Sequence, residues 1–282
     1  MSDTNSSTDF EKQLISEYLK YGSIDKVFQK HHQNLPISFA GYARLLSKFG
    51  VVKSAGPNSK LSESLYILSL LANYKIPLER IYHQHAPHSL QISTNTLHRI
   101  LHYIRLGLTR RQGVVLIITS LNEPYKVLTG NDDSLNSQSI MGKKGDLTLP
   151  MGHSKIGENP QDSIARILQD EVFSQSVIKQ SFPWEIIPVH PQPLVNINIA
   201  DICITVYKLE LPLNHPRFSS FKLKNLQLLD IDRINFNEAR PGIKDILDAY
   251  TSNSYVEFRN GIPTITSELN SKIYALAQEP VK

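Results

Sequence analysis

Asp170 and Glu171 stand side by side near the end of a helix-like run, and carboxylate oxygens are the ligands a hard cation such as Mg²⁺ takes. Asp162, Arg166 and Asp170 recur at intervals of four, so on a helix they form a ladder of alternating charge along one side. Asn159 suits the N-cap, Pro160 the first helical position, and Asp162 the first turn, where the helix dipole favours negative charge. Ile164, Ile167, Leu168 and Val172 supply an apolar stripe for packing. Taken alone, the run is an ordinary amphipathic helix with an acidic end. What sets it apart is the approach: Leu149-Pro150, then Gly152, five residues, Glu158, seven residues, Arg166.

A second set of residues carries cationic chemistry. Ile24, Val27, Phe28 and His31 reappear 54 residues later as Leu78, Ile81, Tyr82 and His85; after one inserted residue, Ser38, Arg44, Leu45 and Leu46 reappear as Ser93, Arg99, Ile100 and Leu101. Each copy is a short helix, a polar connection and a second helix opened by a capping Ser, which is a tandem helix-turn-helix pattern. In the first copy Phe39, Ala43 and Leu46 are expected inward, leaving Ser38 at the cap and Arg44, Ser47 and Lys48 outward. In the second, Leu97, Ile100, Leu101 and Ile104 are expected inward, with Asn95, His98, Arg99, His102 and Arg105 outward. Arg and Lys suit phosphates and guanine edges, and Asn suits adenine, so double-stranded DNA is the expected partner, met at successive grooves on one side of the duplex. The duller alternative is packed helix pairs with solvated basic faces.

Charge follows the same division. Residues 1–112 hold 14 Lys/Arg against 7 Asp/Glu, a formal +7, whereas residues 113–282 hold 16 against 19, or −3. Such asymmetry points a polyanion at the first part alone. One cysteine, Cys203, excludes a disulfide framework or thiolate zinc site within the chain. The polar, acidic start MSDTNSSTDF lacks the basic-then-apolar order of a signal peptide, and no apolar run approaches the ~20 residues that span a bilayer, so a cytoplasmic protein without membrane contact is expected.

The patterning implies where the elements lie. Residues 1–8 read as a disordered tail and 9–110 as all-helical; the pattern then turns to strands at GVVLIIT, YKVLTG, ADICITVYKLELP and LQLLDIDRI, separated by the polar loop GNDDSLNSQSIMGKKG. EARPGIKDILDAY enters a further helix, and residues 253–282 read as a hairpin around Asn260-Gly261 with a short helix.

The segment from Leu149 to Phe173 resembles the Nudix signature: Gly, five residues, Glu, seven residues, Arg-Glu, an aliphatic, any residue, Glu-Glu, any residue, Gly. Gly152, Glu158, Arg166, Leu168 and Glu171 fall in register, and Asp170 conservatively replaces the penultimate Glu. Ile167 stands where the Glu after Arg is expected, and Phe173 where the closing Gly is expected. The resemblance spans roughly residues 113–252 and implies an α/β/α sandwich with a mixed sheet, making the whole chain α+β. It further implies that Gly152, Glu158 and Arg166 bind the nucleotide ligand, that Asp170 and Glu171 are metal ligands, and that Glu171 and Arg166 would serve any catalysis.

In that family Mg²⁺ neutralises phosphate charge and activates water. Ile167 offers no ligand and no base, and the stretch from Pro212 to Leu229, where a later acid is sought, contains Arg217, Lys222 and Lys224 but no Asp or Glu. At most a weakly held Mg²⁺ is implied. The expected function is a DNA-binding transcriptional regulator whose catalytically impaired Nudix domain senses a nucleoside diphosphate derivative. The alternative is a Mg²⁺-dependent pyrophosphohydrolase acting on a compound such as ADP-ribose, with Asp146 or Asp162 replacing the lost base.

Overall fold

A computed structural model describes residues 8–53, 94–133, 146–252 and 261–278. The chain is α+β: helices lead into a mixed sheet and a smaller antiparallel one. It opens with α1 (Asp9–Tyr21), α2 (Ile24–Lys30) and α3 (Phe39–Lys48). Each of these helices begins at a residue whose side chain accepts a backbone N–H: Thr8 in a capping box with Glu11, Ser23 from Lys26, and Ser38 from Gly41. Gly22 ends α1 in the left-handed region at φ 76°, where a side chain would be strained. The capping role expected of Ser38 is therefore met. The paired helix around 78–85, Ser93, most of the polar loop and the turn at Asn260 lie outside the described residues.

The inward face of α3 differs from expectation. Tyr42, Leu45 and Leu46 are buried, while Phe39 is 51% exposed and Ala43 only partly covered. The stripe rotates because Tyr42 reaches into the bundle and donates its hydroxyl to the Leu14 carbonyl at 2.5 Å. Such a bond satisfies a buried phenol that would otherwise cost stability. Eight residues, His31 to Ser38, join α2 to α3, longer than the three or four of a tight helix-turn-helix.

Helix α4 (Thr94–Arg105) precedes β1 (Arg111–Ser120), a near-continuous apolar run buried on both faces. Strand β1 pairs in parallel with β6 (Ile202–Leu211), with Val115 opposite Val206, and antiparallel with β4 (Met151–Ser154), with Val114 opposite Gly152. Strand β5 (Pro193–Ile199) joins β6 antiparallel, and β8 (Thr264–Thr266) joins β5 in parallel, giving the order β4-β1-β6-β5-β8. The second sheet is β3 (Leu147–Thr148), β2 (Lys126–Asp132) and β7 (Leu223–Asp230) in the order β3-β2-β7.

The side chains of β1 alternate between two cores. Val114, Leu116 and Ile118 join Leu19, Leu46, Ile164 and Leu168 in one, so α1, α3 and the later helix α5 (Pro160–Glu171) cover that face. Val115 and Ile117 join Ile100, Ile104, Ile246 and Ile273 in the other, beneath α4, α7 (Ile243–Thr251) and α8 (Glu268–Gln278), the short α6 (Ser174–Ile178) following α5. Strand β8 and α8 are thus part of the sheet and its core. The two basic helices α3 and α4 lie on opposite faces of the central sheet, because each apolar stripe is committed to a different face of β1. They are not adjacent on one side, as successive grooves of a duplex would require.

Candidate functional site

The loop Gly152 to Asn159 is shaped by one buried ion pair. Glu158 accepts from both terminal nitrogens of the Arg166 guanidinium, Nη1 and Nη2, with Nη2 to Oε2 at 3.0 Å, from the Ser163 hydroxyl at 2.8 Å and from the Lys155 amide at 3.0 Å. Arg166 also donates Nη2 to the His153 carbonyl at 2.7 Å. Burial pushes the Glu158 carboxyl up, but the donors from Arg166, Lys155 and Ser163 outweigh it and hold the group below its ordinary value. The pair thus ties the loop after β4 to the first turns of α5, whose N-terminus is capped by the Asn159 side chain.

Ile167 and Phe173, the two departures from the signature, are both core residues. Ile167 is 2% exposed and lies over Gly152, where an added Cβ would come within 3.2 Å of its Cγ1. Position 167 therefore points into the interior, and a Gly opposite makes room for its branched side chain. Phe173 is fully buried, with its ring centroid 6.0 Å from that of Phe218. Around it Ser219 donates its amide to the Val172 carbonyl at 2.8 Å and accepts the Ser174 amide at 3.0 Å. Phe218 in turn stacks on His215 at 4.8 Å. Residues 215–222 form a strap fastened across the C-terminal end of α5 where the signature has Gly.

That strap delivers Lys222 to the acidic pair. Its Nζ lies 2.6 Å from Asp170 Oδ2, and Ser220 fixes the approach by donating its hydroxyl to the Asp170 carbonyl at 3.3 Å while accepting the Lys222 amide at 3.0 Å. The Lys222 carbonyl accepts the Asp133 amide at 3.1 Å, tying the strap to the end of β2. Burial pulls the Lys222 ammonium down, but Asp170 and Glu171 prevail and hold it above its ordinary value. Glu171 is buried and takes the Met151 amide at 2.8 Å. Burial pushes its carboxyl up to about 7, against the pull of Lys222 and the Met151 N–H, with Asp170 adding to the rise.

These residues do not fit a divalent metal as the resemblance implies. Asp170 is engaged by an ammonium, Glu171 by a backbone amide, and Ile167 presents no oxygen. Among the described residues no group of three His, Cys, Asp or Glu is placed to hold an ion. Asp162, exposed in the first turn of α5, is eight residues from Asp170, or about 12 Å along the helix axis, too far to act as a base there. Asp146 sits before β3, its carbonyl accepting the Asp132 amide at 3.1 Å.

A polar contact joins this helix to the preceding ones. Gln169 is buried in α5 and donates Nε2 to the Gly50 carbonyl at 2.8 Å while accepting the Val52 amide at 2.8 Å. Both groups belong to the turn that ends α3. Asp170 is the next residue in the chain after Gln169.

The expected DNA-facing side chains divide. Arg44 is exposed on α3, but Lys48 pairs with Glu11 of α1 at 2.9 Å, so part of its charge is spent within the bundle. Asn95, His98, Arg99, His102 and Arg105 are exposed along α4, and Ile100, Leu101 and Ile104 are buried as expected. No described helix is long and apolar enough to cross a membrane.

Lys222 and Gln169 went unassigned from sequence, although both left a mark. Lys222 lies in a stretch, Pro212 to Leu229, that carries cations and no acid, and Gln169 directly follows the apolar pair Ile167-Leu168 on α5.

No family model and no curated protein matches the sequence. Solved structures with a likeness to it include a NUDIX hydrolase from Nitrosomonas europaea, at 17% identity and TM-score 0.39 over 56% of this chain and 78% of that one. A MutT protein from Methanosarcina mazei gives 14% and 0.36 over 52% and 94%. The NUDIX domain of Shewanella oneidensis NrtR complexed with ADP ribose gives 11% and 0.34 over 51% and 88%.

Proposed function

We propose that the sheet-and-α5 unit binds a nucleoside diphosphate derivative without hydrolysing it, and that the chain is a nucleotide-responsive DNA-binding regulator. The observation that carries the first half is Ile167, whose burial against Gly152 leaves the acidic end of α5 with two carboxylates, both already engaged. Activating a water needs a base or a metal with an open position, and neither group is arranged for that. The order strand, ion-paired loop, capped helix supports retention of a binding pocket. ADP-ribose, which the Shewanella domain binds, is the first ligand to try.

Two features support the regulatory half. Exposed Arg44 on α3 and Arg99 and Arg105 on α4 offer cations to phosphate backbones. Gln169 provides a physical link, since any ligand-driven shift of α5 near Asp170 meets the two hydrogen bonds that seat the end of α3. Differential affinity of the ligand for free and DNA-bound forms would carry the signal.

The test has two arms. Calorimetric titration of ADP-ribose, followed by product analysis, is expected to give saturable binding and no AMP; release of AMP from wild type refutes the impaired-site assignment and supports the hydrolase. DNA affinity is measured against salt for Arg44→Ala, Arg99→Ala and the pair. A reduced salt slope is expected for the helix that meets the backbone, and unchanged slopes in all three variants remove DNA from the account.

A further inference from the structure

We infer that Lys222 is the resident cation of the Asp170–Glu171 pair, so that this site takes ligand phosphates without a divalent metal and excludes the metal until Lys222 is removed. The phosphate part rests on the nucleotide-binding proposal; the exclusion of metal does not.

Three observations carry it. First, the Lys222 ammonium lies 2.6 Å from Asp170 Oδ2, a charge-assisted contact occupying the oxygen a metal would need. Second, the placement is built. Ser220 bonds to both the Asp170 carbonyl and the Lys222 amide, and Ser219 laces the strap to Val172 and Ser174. Phe173 and Phe218 pack beneath. A surface lysine meeting an acid by chance would not be held at both ends of its approach. Third, one turn back on the same helix Ile167 offers no replacement ligand, because its side chain is buried in the core.

The chemistry follows from charge and geometry. Two carboxylates without a cation would repel a diphosphate, and Mg²⁺ ordinarily removes that repulsion. One ammonium with three donors neutralises Asp170 and has N–H groups beyond that one contact to offer a phosphate oxygen, on a side chain that is 30% exposed. It supplies no bound water, so binding is separated from hydrolysis by one side chain.

The experiment uses the full chain and Mn²⁺ as probe, followed by electron paramagnetic resonance of the free ion. Wild type is expected to bind no Mn²⁺ at this site at 1 mM, on the order of the weakest protein sites for such hard ions. Lys222→Ala and Lys222→Met are expected to bind at least about tenfold more tightly, equivalent to 1.4 kcal/mol. Adding Asp170→Asn should abolish the gain. Wild-type Mn²⁺ binding lost in Asp170→Asn overturns the inference, as does a folded Lys222→Ala that gains none.

Should both Lys222 variants fail to fold, the wild-type chain still decides through the ¹⁵N resonance of the Lys222 ammonium. Resistance to broadening by Mn²⁺ supports the assignment, and broadening at substoichiometric Mn²⁺ overturns it. ADP-ribose titrations in EDTA and in Mg²⁺ form the last arm. Equal affinity supports metal-free phosphate binding, and strict dependence on Mg²⁺ overturns it. No binding in either defeats the nucleotide proposal, and the phosphate clause with it, while the Mn²⁺ result stands by itself.

Discussion

Restoring the carboxylate that the signature calls for, Ile167→Glu, should destabilise the chain and not create a hydrolase. Ile167 is 2% exposed and meets Gly152 across a gap that an added Cβ would close to 3.2 Å. Losing the buried apolar side chain costs roughly 1.5–3 kcal/mol. The new carboxyl must either stay ionised without a partner, at several kcal/mol, or be held neutral at pH 7.5. Neutrality means lifting its pKa about three units above ~4.3, at 1.36 kcal/mol per unit, or about 4 kcal/mol. The sum is roughly 5–7 kcal/mol, against a total stability of about 5–15 kcal/mol for a typical domain. Urea unfolding followed by the fluorescence of Trp184, the single tryptophan, measures it. Ile167→Val is the control and should lose only about 1 kcal/mol. An unchanged midpoint for Ile167→Glu, or Mg²⁺-dependent turnover, would refute the placement of residue 167 in the core.

Three further outcomes are expected. Arg166→Met leaves Glu158 buried and unpaired beside Ser163, so urea unfolding should show a loss of about 3–5 kcal/mol, and hydrogen exchange should rise across 152–159. Glu171 has its folded-state pKa raised to about 7, so the native state keeps a proton that the unfolded chain releases near ~4.3. Its contribution is therefore present below the unfolded value and lost as pH rises towards 7; Glu171→Gln should remove about 3 kcal/mol of that decline, measured by unfolding at pH 5 and pH 8, and an identical decline would contradict the burial argument. Gln169→Leu strips partners from the Gly50 carbonyl and the Val52 amide, so limited proteolysis should cut between α3 and β1 faster while the sheet stays protected.

Much of this was legible in the residues. Asn159 and Pro160 mark the start of α5 and GVVLIIT marks β1 because capping chemistry and an apolar run buried on both faces are local signals. The ion pair of Glu158 with Arg166 follows the spacing of the signature. What stayed hidden depends on long-range packing. The outward turn of Phe39 reflects the bond from Tyr42 to Leu14 across 28 residues, and the α3 stripe alone does not specify it. Lys222 reaches Asp170 across 52 residues through a strap whose course is set by Phe173 and Phe218. Phe173, a mismatch to the signature in the linear pattern, packs in three dimensions on Phe218 in the strap that carries Lys222. The separation of α3 and α4 onto opposite faces arises from which side of β1 each stripe buries, which neither stripe encodes.

The most direct measurement is titration of the full chain with ADP-ribose, with the phosphorus resonance spectrum of the mixture recorded over a day. Saturable binding with both diphosphate resonances intact is the result expected of a site with Ile167 in its core and its carboxylates engaged. Appearance of monophosphate signals that vanish in Glu171→Gln would show a working hydrolase and contradict the account.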